Sequence, residues 1–229
     1  MKSHQDYQKE VINKLEQQVK SNSLSVSTVA AIGDFQNDPR ICLTSVHFPN
    51  KSLIKKITET ILNPLRKIQP EHFYYPDNLI HITIKNVRVI NNPPHFSPTD
   101  IEKVKKVFDE IIPKHKQFKI YYYRLLLFPA NLTLIGTTDP ELDNIILKLD
   151  SELLKVGVPD DKKYVNDKYF FSNVTLARFL KPVSDEFRRK VEDLSSRILF
   201  DPYITDSVSL VTANAVMQKR NVLGNWILR

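Results

Sequence analysis

A chain of 229 residues, 41% hydrophobic and 26% charged, is long enough to bury a continuous core without covalent staples. Cys42 is its single cysteine and lies in an apolar run, which excludes a disulfide framework and a cysteine-based zinc site and points to a reducing, cytoplasmic setting. The formal charge of +7 favours anionic partners, while only four glycines, Gly33, Gly136, Gly157 and Gly224, leave no P-loop or dinucleotide fingerprint to be written.

Residues 2–6 are polar and no long uncharged stretch follows, so neither a signal peptide nor a membrane span is expected. Tyr7, Val11, Leu15 and Val19 recur every four residues and predict an amphipathic first helix. Five serines and threonines among residues 21–28 mark a connector behind it. Residues 1–39 are therefore expected to be a helix and connector packed on a main body formed by residues 40–229, with a partner-docking helix as the other reading.

Residues 40–48 read as a strand closed by Pro49-Asn50, followed by a helix from about Ser52 to Ile68 with Ser52 near its N-cap. Pro76 and Asp77 lead into a strand that starts at Leu79, runs to Ile90 and stops at Asn91-Asn92-Pro93-Pro94. Thr99, with Glu102 three positions on, reads as a capping box for a helix through Val104, Val107, Phe108 and Ile111, ending at Pro113. The runs 118–128 and 132–135, joined by Pro129-Ala130-Asn131, predict a hairpin. Asp139-Pro140 opens a helix with Leu142, Ile145, Ile146, Leu149 and Leu153, and residues 160–168 form a polar loop before a strand at 171–178. Ser184 caps a helix carrying Phe187, Val191, Leu194 and Ile198, and strands at 208–216 and 226–228 finish the chain. The pattern strand, helix, motif strand occurs twice, which predicts an α+β fold of two lobes, a duplicated unit with antiparallel sheets around a central cleft and helices outside.

Two tripeptides, His81-Ile82-Thr83 and Asn173-Val174-Thr175, lie 92 positions apart (173 − 81) in those motif strands. Side chains two apart on a strand share a face, so each tripeptide presents two polar groups together and turns its apolar residue the other way. Histidine can take or give a proton near neutrality, and threonine can hold a phosphoryl oxygen without adding charge. Facing one another, the pairs would form a polar hollow with one imidazole, one carboxamide and two hydroxyls.

In these strings the sequence resembles the 2H phosphoesterase superfamily, which includes 2′-5′ RNA ligase-like proteins and 2′,3′-cyclic nucleotide phosphodiesterases. Residues 76–84 are similar to its first His-x-Thr/Ser motif and residues 171–178 to its second, with Asn173 where the second histidine is usual. The resemblance covers the chain from about Arg40 onward. It implies a metal-independent phosphodiesterase acting on RNA ends, cyclic phosphates or 2′-5′ linkages, with no cofactor. By the resemblance His81, Thr83 and Thr175 would be catalytic and Asn173 would orient substrate; Arg178, as a cation beside the second motif, and Tyr169, as an aromatic that either stacks on a base or packs in the core, are the further candidates for substrate binding. A nucleotide or RNA phosphate would be the ligand; the sequence carries no signal for the oligomeric state, and a monomer is the default. The alternatives are a nucleotide- or RNA-binding module of the same fold with impaired catalysis, and an interaction protein working through its N-terminal helix.

Other residues carry competing readings. The lysine and arginine clusters, Lys162-Lys163 among them, read as solvated faces. Tyr121-Tyr122-Tyr123-Arg124 mixes aromatic and basic groups as base-stacking surfaces do, against a packing role. Arg178 can neutralise a phosphate or pair with a surface carboxylate, and His47 can stand in for the second histidine or lie on the surface beside Pro49. His4, His72, His95 and His115 lack the spacing of a metal site.

Overall fold

The computed structural model describes residues 2–30, 33–35 and 37–229. Six helices, α1 (His4–Lys20), α2 (Lys51–Ile57), α3 (Asn63–Arg66), α4 (Pro98–Ile111), α5 (Glu141–Lys155) and α6 (Asp185–Ser196), surround two antiparallel sheets among the described residues. The first sheet has the order β3 (Ile82–Asn91), β1 (Ile41–His47), β8 (Ser207–Ala213), β9 (Arg220–Ile227). The second has the order β2 (Phe73–Tyr74), β6 (Ser172–Arg178), β5 (Asn131–Thr138), β4 (Phe118–Leu127), β7 (Tyr203–Thr205). This is the α+β architecture that the repeated strand, helix, motif strand pattern implies.

The two units, β1 to α4 and β5 to α6, are connected in a crossed manner. The strand that follows the first unit, β4, lies beside β5 of the second. After the second unit, the short β7 joins β4, and β8 behind it lies beside β1 of the first. The sequence pattern finds the repeat but not this exchange, because the pairing joins segments far apart in the chain.

Local chemistry explains where the elements begin. Ser97, not Thr99, caps α4: its hydroxyl accepts from the Asp100 amide and the Asp100 carboxylate accepts from the Ser97 amide, with Pro98 preset at the first helical position. Asn50, not Ser52, caps α2, its side-chain oxygen accepting from the Leu53 amide at 3.0 Å. The predicted 52–68 helix is interrupted by a π-helical turn at Thr58–Leu62 before α3 resumes. A 3₁₀ turn at Asp77–Leu79 delays the first motif strand, so β3 starts at Ile82 rather than Leu79. The short strands β2 and β7 carry too few residues to show a period, and β9 begins at Arg220 rather than at Trp226.

One large core runs between the sheets and the outer helices. A second, smaller cluster lies under α1, where Ile12 and Leu15 meet Leu126 of β4 and Ile135 of β5. Burying such aliphatic side chains contributes about 1.5–3 kcal/mol each, enough to dock the first helix firmly. Polar contacts fix its register. Gln8 is fully buried, its amide donating to the Thr138 hydroxyl at 2.8 Å and to the Phe170 carbonyl while its oxygen accepts from the Thr138 amide at 2.8 Å. His4 bridges the Asp143 carboxylate at 2.7 Å and the Thr138 carbonyl at 3.2 Å.

Candidate functional site

The motif strands β3 and β6 approach one another where the two sheets meet. On β6 the burial alternates as a half-buried strand requires: Asn173 and Thr175 are half-buried, while Val174 and Leu176 are fully in the core. Opposite them, Ile135 pairs with Asn173 and Thr133 with Thr175. Thr83, Asn173 and Thr175 line one cavity of about 210 Å³, together with Asn86, Asn131, Thr133, Tyr169 and Arg178.

Arg178 reaches that cavity through an irregularity. Strict alternation from Thr175 assigns Arg178 to the opposite face. The register between β5 and β6 slips by one residue, from Leu132 opposite Ala177 to Thr133 opposite Thr175, leaving Leu176 as an extra residue on β6; this slip turns Arg178 toward the hollow, which its partner Asn131 already faces by alternation with Thr133. The arginine is 5% exposed. Its Nε donates to the Tyr75 hydroxyl at 3.0 Å and to the Ala215 carbonyl at 3.2 Å, and one terminal nitrogen is buried without a partner among the described residues. It is thus not the surface carboxylate partner that a strand-end arginine suggests.

His81 sits differently from its motif partner Thr83. It precedes the β1–β3 ladder, whose last pair is His47 with Ile82, and its ring is buried against Tyr75, 5.8 Å between centroids, outside the residues that line the cavity. Nδ1 lies 2.8 Å from the Leu79 carbonyl. A carbonyl only accepts, so Nδ1 carries the proton and Nε2 presents a lone pair. Burial, aided by the nearby Arg178 and Arg220 cations and opposed by the Leu79 carbonyl, pulls its pKa down to about 4. The imidazole is therefore neutral at pH 7. Because the folded value lies below the usual 6.5, its contribution to stability is complete above pH 6.5 and is lost as pH falls toward 4.

The cavity has a roof. Val11 and Leu15 of α1, the connector residues Val26, Ser27, Thr28 and Val29, and residues 162–166 of the polar loop all line it. Connector and loop are tied together: the Ser27 amide donates to the Lys163 carbonyl at 3.1 Å and the Lys163 amide to the Ser27 hydroxyl at 2.9 Å. Tyr169 lines the cavity with one ring face stacked on Tyr7, 4.9 Å between centroids and 8° from parallel. Lys162 also lines it, contrary to the solvated-face reading, and no periodic signal in the sequence marks this because the residue sits in a loop.

Other candidates fall elsewhere. His47 is neither a substitute catalytic group nor a surface residue: it is 3% exposed, Nδ1 donates to the Ser207 carbonyl at 2.9 Å and Nε2 accepts from the Tyr203 hydroxyl at 2.8 Å. Tyr122 is in the core, Tyr121 donates to Asp139, and Arg124 pairs with Glu16 of α1 at 2.6 Å, so this run packs rather than offering a stacking surface. Among the described residues no group of three or more His, Cys, Asp or Glu side chains is placed to hold a metal ion, and no helix is long and apolar enough to cross a membrane.

No family model and no curated protein matches the sequence. Solved structures do match the fold. The apo form of LigT from E. coli is 13% identical, covering 82% of this chain and 98% of its own, with a TM-score of 0.55. TT0787 of Thermus thermophilus is 14% identical, covering 83% and 98%, with a TM-score of 0.55. A conserved protein of unknown function from Agrobacterium tumefaciens is 11% identical, covering 92% and 97%, with a TM-score of 0.57. Two crossed strand, helix, motif strand units around a shared cleft, matched over nearly the whole of LigT, give this chain the fold of LigT.

Proposed function

We propose that the cleft binds the phosphate of a nucleotide or RNA end, with Thr83, Asn173, Thr175 and Arg178 as its holders and a reduced set of proton-transfer groups. The observation that carries this reading is the buried Arg178 guanidinium, which belongs to the cavity lining and has one nitrogen without a partner, while, among the described residues, no carboxylate lines the cavity. A buried cationic donor left without a partner is costly, and a phosphoryl oxygen is the acceptor whose charge and geometry match it. A structure of E. coli LigT with this fold, 15% identical and with a TM-score of 0.51, is complexed with 3′-AMP, which supports a nucleotide as the probe. Calorimetric titration with 3′-AMP at low salt should give saturable binding that weakens as salt is raised; no heat and no shift in melting temperature at millimolar ligand would remove the reading.

A second reading adds slow hydrolysis of a 2′,3′-cyclic phosphate with His81 as the single base. It is favoured by the His81 tautomer, which leaves Nε2 basic. Nε2 would take a proton from the attacking water while the strained ring oxygen leaves without a dedicated acid, and Asn173, able to hydrogen-bond but not to relay a proton, would orient the phosphate. His81→Ala should then abolish opening of 2′,3′-cyclic AMP. The parent's rate should hold as pH is lowered past 6.5 and fall only as it nears 4, where the imidazole takes up its proton. Equal rates in the two proteins would leave binding as the sole function of the cleft.

A further inference from the structure

The cavity presents a charge imbalance that the phosphate holders alone do not explain. Lys162 lines it and, among the described residues, makes no ion pair within 4 Å. Its ammonium lies 5.0 Å over the Tyr164 ring. The two preceding acids are committed elsewhere: Asp160 pairs with the Lys85 ammonium and accepts from the Tyr164 hydroxyl at 2.8 Å and from the Lys162 backbone amide at 2.6 Å, and Asp161 accepts from the Val89 amide at 2.7 Å and lies 3.2 Å from the His95 ring. On the Arg178 side, Asp38 is likewise taken up by Arg40, from which it accepts through both carboxylate oxygens. Lys162 and Arg178 line the same cavity, which places the two cations in one neighbourhood. His81 adds no third charge at neutral pH. Two cations thus face a hollow whose other described lining groups are uncharged apart from the exposed Lys163.

We propose that Lys162 is a second phosphate-binding cation beside Arg178, and that the pair selects a terminal phosphomonoester, a dianion, over a phosphodiester in the same cleft. The inference rests on the phosphate-site reading above. A cyclic or linear diester brings one negative charge, which leaves one of the two desolvated cations uncompensated; a monoester brings about two above its second pKa of about 6. Burial pulls the Lys162 pKa down to about 8, with Lys85 adding to the shift and Asp160 opposing it, so the lysine is charged at pH 7 and gives up its proton within an accessible range.

The test is calorimetry on the full chain at low salt with 3′-AMP, 2′,3′-cyclic AMP and inorganic phosphate. At pH 7, 3′-AMP is expected to bind about tenfold or more tighter than the cyclic ester, and Lys162→Met to lower 3′-AMP affinity by a similar factor while changing the cyclic ester far less. Affinity for 3′-AMP should fall below pH 6 as the ligand is protonated and above pH 8 as Lys162 is neutralised. Lys162→Arg, which keeps the charge to high pH, should retain affinity and lose only the alkaline limb. Inorganic phosphate binding as tightly as 3′-AMP would support the dianion site and show that the nucleoside contributes nothing. Equal affinity for the two esters, or equal losses in Lys162→Met, would overturn the inference and leave the phosphate site standing. Failure of both esters to bind would overturn both.

Discussion

Asn173→His is expected to raise the rate of 2′,3′-cyclic nucleotide opening over the parent by a factor on the order of 10² or more, the usual contribution of one positioned acid or base. Asn173 is half-buried, lines the cavity with Thr175 and Arg178, and its side chain makes no hydrogen bond among the described residues, so an imidazole there replaces a free carboxamide. Two imidazoles would divide the work, His81 taking the proton from the attacking water and the introduced ring giving one to the leaving oxygen. The measurement is steady-state hydrolysis of 2′,3′-cyclic AMP across pH 5 to 9. A gain that disappears when His81→Ala is added would show that both groups act. No gain, with 3′-AMP binding intact, would show that His81, recessed against Tyr75, is out of reach of the phosphate.

Lys85→Met is expected to destabilise the chain by about 3 kcal/mol or more, read from the denaturant midpoint. Lys85 sits on β3 facing away from the cavity, and its fully buried ammonium pairs with Asp150 of α5 at 2.6 Å and with Asp160 of the polar loop. Removing the cation leaves two carboxylates facing one another, and Asp160 is only 10% exposed. The loss extends to the cleft, because an Asp160 released from Lys85 is free to neutralise Lys162. Adding Asp160→Asn should recover part of the stability, since it removes one uncompensated charge. A loss below about 1 kcal/mol would mean that water reaches the pair and that it behaves as a surface bridge.

The legible part of the site is the part that obeys strand alternation. Asn173 and Thr175 on one face with Val174 and Leu176 on the other follow from period two alone. Arg178 does not, because a one-residue slip in register is invisible without the partner strand. Thr83 and Asn86 come to line the same cavity in spite of unlike parity, across register shifts between β1 and β3. Alternation makes His81 a strand residue, but the 3₁₀ turn at Asp77–Leu79 intercepts the chain first and leaves the ring ahead of the ladder. Helix starts are displaced by two residues where two capping signals compete; at α4 the preset Pro98 favours Ser97 over Thr99. The roof and Lys162 are hidden for a different reason. Loop side chains have no period, and their direction is set by distant partners such as Ser27 and Lys85.

The crossed placement of β4 and β8 constrains how the molecule comes into being. While the polypeptide is still emerging, β1 and β3 can meet early, but the edge of β1 that β8 covers stays bare until residues beyond Ser207 have been made. The earlier lobe is thus held open by the later one, and each supplies the strand that seals the other. Such mutual closure makes the two halves inseparable by simple cutting, and ties the opening of the cleft to the integrity of both.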